Sequence, residues 1–390
     1  LNTYLSGAVR AIQSNVAIIA NQSTWIDETS VDQLVQCASL PNMQKVIGMP
    51  DLHPGRTYPI GAAFLTHDYV YPALIGNDIG CGMGIWQTDI LTHKFKLSKA
   101  LNHLSNLESA LSETDILEYC TTDDISNQLF QLLKSQNITY YGLGTIGRGN
   151  HFVEIQKIET VYREDLMNHY GLSKQNIQLL VHSGSRGVGD AILNTHLAKY
   201  GYNGMPCESE DALSYLKQHD NALIFATLNR RLIANRFASR LRAHISPILD
   251  LCHNFVEYNQ SNQGYIHRKG ASPSDKDIAV IPGSRGDFSY IVRTNENNHL
   301  LNSIAHGAGR KWRRSHCRAN LRNLYQFDEL FKTKLGSHVI CHDRNLMYEE
   351  APEAYKAVIP IIDSLVEAGL IEVIAKLKPL ITFKTNGECC

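Results

Sequence analysis

The stretch Gly76-Asn-Asp-Ile-Gly-Cys-Gly-Met-Gly84 decides how this chain is organised. Glycine tolerates backbone turns and close approaches that other residues resist, so such a run marks a sharp turn or a place where backbone meets a ligand. It is the first of several. Glycine-rich patches follow at 142–149, 183–189, 283–286 and 307–309, each beside a short apolar run. Because these patches are scattered from one end of the sequence to the other, they point to one intertwined α+β domain spanning 1–390. A length of 390 residues taken alone suggests two or three domains, at about 150 residues each.

Between the patches, residues 46–49, 62–65 and 84–86 read as short strands, and 177–182 and 278–282 as short buried strands. Helices are expected over 98–112 and 125–135. The strongest helical periodicity runs from about 221 to 252, through Leu223, Leu228, Leu232, Phe237, Leu241, Ile245, Ile248 and Leu249, with a kink at Pro247. Arg230, Arg231, Arg236, Arg240 and Arg242 decorate the rest of that surface. Near the end, 354–367 reads as a helix stopped by Gly369, 371–378 as another stopped by Pro379, and 380–384 as a terminal strand.

Composition excludes several classes. Lys plus Arg number 37 and Asp plus Glu 38, giving a net charge of −1, with 43% hydrophobic and 19% charged residues. That is a globular balance, neither disordered nor collagen-like, and any nucleic-acid surface must be local. The nine cysteines, Cys37, Cys81, Cys120, Cys207, Cys252, Cys317, Cys341, Cys389 and Cys390, are odd in number and contain no Cys-x-x-Cys. A zinc ribbon or a secreted disulfide framework is therefore not expected. With no apolar run of about 18 residues and no secretory leader pattern, a cytoplasmic protein with no membrane partner is expected. Seventeen histidines exceed the twelve prolines and leave room for a histidine-built site.

Five segments join glycine to chemically capable side chains: Met49-Pro-Asp-Leu-His-Pro-Gly55, the 76–84 run, Gly147-Arg-Gly-Asn-His-Phe-Val-Glu154, Val181-His-Ser-Gly-Ser-Arg-Gly-Val-Gly189, and His253-Asn254. Asp78 and Cys81 are three apart in a loop able to fold both toward one point. A carboxylate with a thiolate suits Zn²⁺, Mn²⁺ or Fe²⁺ better than Mg²⁺; the alternative is that Cys81 packs as a small hydrophobe. On a strand, Asn150, Phe152 and Glu154 would face one way and His151 the other. The 181–189 run resembles an anion-binding nest with a cationic arm, but lacks the Gly-Lys-Ser/Thr ending of a Walker loop. A histidine such as His253 at a helix end is more often dipole-stabilised than ligating. From His306 to Gln326 no Asp or Glu occurs, whereas Arg310, Lys311, Arg313, Arg314, Arg318 and Arg322 do, alongside Trp312. Such a face suits a phosphodiester backbone.

Taken in order, Gly-Asn-Asp-Ile-Gly-Cys-Gly, Gly-Asn-His-Phe-Val-Glu, His-Ser-Gly-Ser-Arg-Gly, His267-Arg-Lys-Gly-Ala271 and His306-Gly-Ala-Gly-Arg310 resemble the RtcB family of RNA-splicing ligases over about 43–384. Glu350-Ala-Pro-Glu-Ala-Tyr-Lys356 and Leu377-Lys-Pro-Leu-Ile-Thr-Phe-Lys384 extend the likeness. The resemblance implies that Asp78, Cys81, His151, His182 and His253 hold two Mn²⁺ ions, with Cys81 bridging, and that His306 becomes guanylylated. It implies GTP contacts at Asn150, Phe152, Glu154, Pro282, Gly283, Ser284, Ser289, Gly307, Ala308, Gly309, Tyr355 and Lys384. The run Lys311-Trp-Arg-Arg-Ser-His316 departs from the family pattern, which has a small residue, Met and Ser-Arg there, and the chain is shorter than typical members.

What the resemblance implies is a GTP- and Mn²⁺-dependent ligase for RNA carrying 2′,3′-cyclic phosphate or 3′-phosphate ends, acting in RNA repair or splicing. A two-metal phosphoesterase on RNA ends and a non-catalytic RNA-binding descendant are the rival readings. The arginines of 310–322 and of the 221–252 helix are expected to form the RNA track.

Overall fold

The computed structural model describes residues 7–385. Two large sheets organise them. The larger has eight strands, in the order Ile245–Cys252, Gly82–Leu91, Asn176–Ser183, Phe152–Val161, Ile371–Phe383, Ser289–Thr294 and Ile278–Pro282, with His338–Ile340 added parallel to the end of Ile371–Phe383. The other has six: Val9–Gln13, Val16–Ile19, Met43–His53, Ile60–Thr66, Gly264–Lys269 and Asn254–Asn259. The α+β expectation holds.

The two sheets share one buried cluster. Ala17, Ile19, Ile47 and Ala63 of the smaller meet Ala279, Ile281, Tyr290 and Val292 of the larger, with Ile361 and Leu365 of the helix Val358–Glu367 beside them. Strand alternation explains how the larger sheet buries both faces. In Asn176–Ser183, Ile177, Leu179 and Val181 pack under Ile233, Ala234 and Phe237 of the long helix, while Leu180 packs the opposite way with Met83 and Ile374.

Three expectations need correction. The long helix is Glu210–Leu241, 32 residues, begun by a Ser209 side chain that accepts the Ala212 N–H and ended by Arg242 in the left-handed conformation. It does not reach 252: residues 245–252 form the edge strand beside Gly82–Leu91. Pro247 is tolerated because an edge strand has free donor positions and the register slips between Pro247 and Leu249. Likewise Ile371–Phe383 is one 13-residue strand rather than a helix and a strand. Its Pro379 sits where the register slips against Phe152–Val161. The helix expected over 98–112 is only Leu97–His103. No helix among the described residues is long and apolar enough to cross a membrane.

Candidate active site in the cleft at the strand ends

Register brings the candidate ligands together. Cys81 precedes Gly82, which pairs with both Ser183 and Cys252; His182 pairs with both Met83 and Phe152. Thus Cys81, His151, His182 and His253 all lie at the same end of four adjacent strands. Relocating 245–252 from helix to strand is what delivers His253, whose N–H donates to the Cys81 carbonyl at 2.8 Å. The strand starts at Phe152, so His151 lies in the preceding turn and shares the cleft with Asn150, Phe152 and Glu154, contrary to the alternation expected for one continuous strand.

The donor atoms converge. Cys81 Sγ is 3.2 Å from both His151 Nε2 and His182 Nε2, and His182 Nε2 is 3.3 Å from His253 Nε2. Asp78 Oδ2 lies 2.8 Å from His151 Nε2. His182 Nδ1 is 3.1 Å from the Asn150 carbonyl. That carbonyl can only accept, so the proton sits on Nδ1 and the Nε2 lone pair faces inward. Burial, reinforced by neighbouring cationic groups, holds His182 and His253 well below the usual imidazole pKa, hence neutral. For Asp78, burial pushes its pKa up, but His151, Cys81 and Arg186 together outweigh it and the carboxyl ends below its ordinary value. Ligands about 2.0–2.3 Å from one ion stand about 3.5 Å apart at the tetrahedral angle. The buried Cys81, His151 and His182 donors all lie within 4.8 Å of one another and fit a cation on that measure. A Cβ at Gly184 would stand 2.1 Å from Asp78 Oδ1, so a larger residue there would displace that carboxylate.

His306 follows the short strand Ser303–Ala305, and its ring centre is 4.6 Å from that of His253. Its Nδ1 lies 2.6 Å from Oδ2 of the fully buried Asp51, out of line for a well-aligned hydrogen bond. Asp51 thus occupies the Nδ1 side of the ring.

The same cleft, of about 1250 Å³, is lined by Asn150, Phe152, Glu154, Pro282, Gly283, Ser284, Gly307, Ala308, Gly309, Tyr355 and Lys384. Ser289 is not among its lining residues; its hydroxyl instead accepts from Gln156 Nε2 at 2.9 Å. Gln156 also donates to Glu154 Oε2 at 2.6 Å, and the Thr382 hydroxyl donates to Glu154 Oε1 at 2.7 Å. Burial pushes the Glu154 pKa up to about 7. Beside it, Lys384 Nζ donates to the His151 carbonyl at 3.0 Å and lies 3.5 Å from Glu350 Oε2. Arg310 Nη1 donates to Glu350 Oε1 at 3.0 Å, and the Tyr355 hydroxyl donates to Glu350 Oε2. Burial alone pushes Glu350 up, but Lys384, Arg310 and Arg314 outweigh it and bring the carboxyl down to about 2.

The profile of the family described as tRNA-splicing ligase RtcB matches residues 33–115 and 113–385. An RNA-splicing ligase RtcB2 from Escherichia coli is 47% identical over 381 residues, covering 97% of this chain and 98% of the relative. The chain belongs to the RtcB family. More distant relatives include tRNA-splicing ligases RtcB of Nanoarchaeum equitans, 28% identical over 92% of each chain, and of Methanococcus maripaludis, 27% identical over 91% of each.

In this RtcB chain the expected basic track divides. Arg230 is fully buried; it donates to Asp250 Oδ1 at 2.7 Å and to the carbonyls of Gly80 at 2.7 Å and Ser183 at 3.0 Å. Arg231 bonds Asp123, and buried Arg236 bonds the Ser109 carbonyl. These three are paired within the fold as structural cations, Arg230 and Arg236 buried and Arg231 half-buried, whereas Arg240 and Arg242 are exposed. Arg310 is committed to Glu350, whereas Lys311, Arg313 and Arg314 are exposed and line the cleft, with Arg56, Arg148 and Arg186. The sequence reading missed roles for Asp51, Gln156, Glu350 and Thr382. Asp51, Glu350 and Thr382 lie within motifs already singled out, so motif membership was an available signal; Gln156 carries none.

Proposed function

We propose that this chain is an RNA ligase that joins 2′,3′-cyclic phosphate or 3′-phosphate ends to 5′-hydroxyl ends, using GTP and two Mn²⁺ ions, as a single catalytic domain in the cytoplasm. Membership of the family carries the reaction class. The observation that carries the mechanism is the Asp51–His306 pair beside a buried cluster of Cys and His donors. The seven described cysteines are free thiols, in keeping with a reducing compartment; Cys389 and Cys390 lie outside the described residues.

Asp78, Cys81, His151, His182 and His253 would hold the metal, with the Cys81 thiol the shared neighbour of His151 and His182. Bound there, Mn²⁺ supplies Lewis-acid polarisation of phosphoryl oxygens and activation of water. Asp51 keeps the proton of His306 on Nδ1, which leaves Nε2 as nucleophile. Nε2 attacks the α-phosphorus of GTP; an N–P bond forms, the Pα–O bond to the β-phosphate breaks, and pyrophosphate leaves. The GMP then passes to an RNA 3′-phosphate, the 5′-hydroxyl attacks that activated end, and GMP departs. Glu154, as a carboxylate, accepts both N1–H and N2–H₂ of guanine, a donor pair that adenine lacks. A phosphoesterase would need only the metal cluster, so the buried Asp51–His306 pair favours ligation.

Purified protein mixed with Mn²⁺ and GTP labelled on the α-phosphate should become covalently labelled, with an acid-labile, alkali-stable bond at His306. Absence of any adduct alongside cyclic-phosphate opening would favour the phosphoesterase instead.

A further inference from the structure

Asp51 sits in a break in its own sheet. The Met43–His53 and Ile60–Thr66 strands pair at Gly48↔Ala62 and next at His53↔Ile60, so residues 49–52 face Gly61 alone. Carbonyls in such a bulge lose their ladder donors, and buried carbonyls need replacements. Lys356 supplies them. Its Nζ donates to the Leu52 carbonyl at 2.6 Å and the Pro50 carbonyl at 3.2 Å, one residue to either side of Asp51. Its backbone N–H donates to the Gly309 carbonyl at 3.0 Å, three residues beyond His306. Gly309, at φ 69°, approaches so closely that a Cβ would stand 2.1 Å from the Asp51 carbonyl oxygen.

We propose that Lys356 is the positioning residue of the Asp51–His306 pair: one side chain and one amide pin the Asp51 bulge to the nucleophile loop. The inference rests on the reading of His306 as nucleophile. Lys356 is the cation whose attraction to the fully buried Asp51 carboxylate compensates that charge. Burial pulls its own pKa down to about 8, with Asp51 opposing, so the ammonium form predominates at pH 7. Trp25 covers it, with Nζ 5.6 Å from the ring centre. Released from this clamp, the carboxylate swings off Nδ1 and the imidazole loses its preferred tautomer.

The test compares wild type, Lys356→Met, Lys356→Arg, Asp51→Asn and the Lys356→Met/Asp51→Asn double variant. Single-turnover adduct formation from labelled GTP should slow roughly 10²-fold in Lys356→Met with little change in the GTP concentration at half-maximal rate, as expected for misplacement of a nucleophile by about 1 Å. Lys356→Arg, which keeps a buried cation and donor, should recover part of the loss. The double variant should be no slower than the worse single variant, because both changes act through one pair. Independently of GTP chemistry, nitrogen NMR of histidine-labelled protein should show His306 protonated at Nδ1 in wild type and as a tautomer mixture in Lys356→Met. An unchanged tautomer in Lys356→Met, or strictly additive losses in the double variant, would overturn the proposal. A wild type that forms no adduct yet shows the tautomer shift would refute the nucleophile reading while leaving the clamp in place.

Discussion

The nucleophile assignment turns on one imidazole. With Asp51 at Nδ1, only Nε2 of His306 is free. His306→Ala should therefore abolish both the adduct and RNA ligation, while opening of a 2′,3′-cyclic phosphate persists on the metal cluster alone; an adduct at full yield would refute the assignment. Glu154 gives a second prediction. Its pKa of about 7 means that half of it is protonated near neutrality, and a protonated carboxyl cannot accept both guanine donors. GTP affinity should rise as pH climbs through about 7. In the free protein the sign reverses: a carboxyl raised above its unfolded pKa of about 4.3 stabilises the fold below that value and loses the contribution by about pH 7. Titration calorimetry with GTP against pH measures the first effect and denaturant melts the second, with Glu154→Gln flattening both. Replacing Glu154 by Ala should also remove the preference for GTP over ATP, with about 1–3 kcal/mol at stake.

At the scale of elements, the long helix does work other than the sequence suggested. Arg230 reaches from it to the 76–84 loop, the end of Asn176–Ser183 and Asp250 on the edge strand. It therefore joins the elements that present Cys81, His182 and His253. Removing one member of a buried ion pair leaves the other uncompensated, at a cost of about 3–5 kcal/mol. Arg230→Ala should lose about that much stability in urea titrations and weaken metal retention, and a loss under about 1 kcal/mol would contradict this role. The exposed cations of the 311–314 turn behave differently. Lys311→Ala with Arg313→Ala should weaken single-stranded RNA binding and reduce the slope of log affinity against log salt by about 1.4, at about 0.7 per phosphate contact. Covalent guanylylation should survive, since neither side chain belongs to the Glu154, Glu350 and Lys384 wall. An unchanged slope would place the RNA elsewhere.

Across the whole molecule, a metal held by Cys81, His151, His182 and His253 would join four strand ends, so metal bound only by the folded state should stabilise it. At 100 times the dissociation constant the gain is about 2.7 kcal/mol. The melting temperature should rise with added Mn²⁺, and Cys81→Ala should remove most of that rise; an identical rise in the variant would argue against thiolate ligation.

How much of this was legible in the sequence follows from what kind of information each feature needs. The strands at 177–182 and 278–282, the helix at 125–135 and the α+β class came from local apolar runs and turn residues, because periodicity and glycine act within a few residues. The family resemblance of the ordered motifs marked Asp78, Cys81, His151, His182, His253 and His306, whereas residue type alone left His151 and His253 as ordinary turn and helix-end residues. Residues 245–252 and 371–378 misread as helix, because isolated apolar spacing there fits both periods and only pairing with neighbouring strands selects the extended form. That same pairing decided that His253 joins the cluster and that Arg230 and Arg236 are buried structural cations. Likewise, nothing local tells Asp51 that it faces His306, or Lys356 that it holds carbonyls some three hundred residues earlier in the chain. Sequence determined which chemical groups this protein possesses; contact between distant segments, fixed by sheet register and a bulge, decided which of them meet.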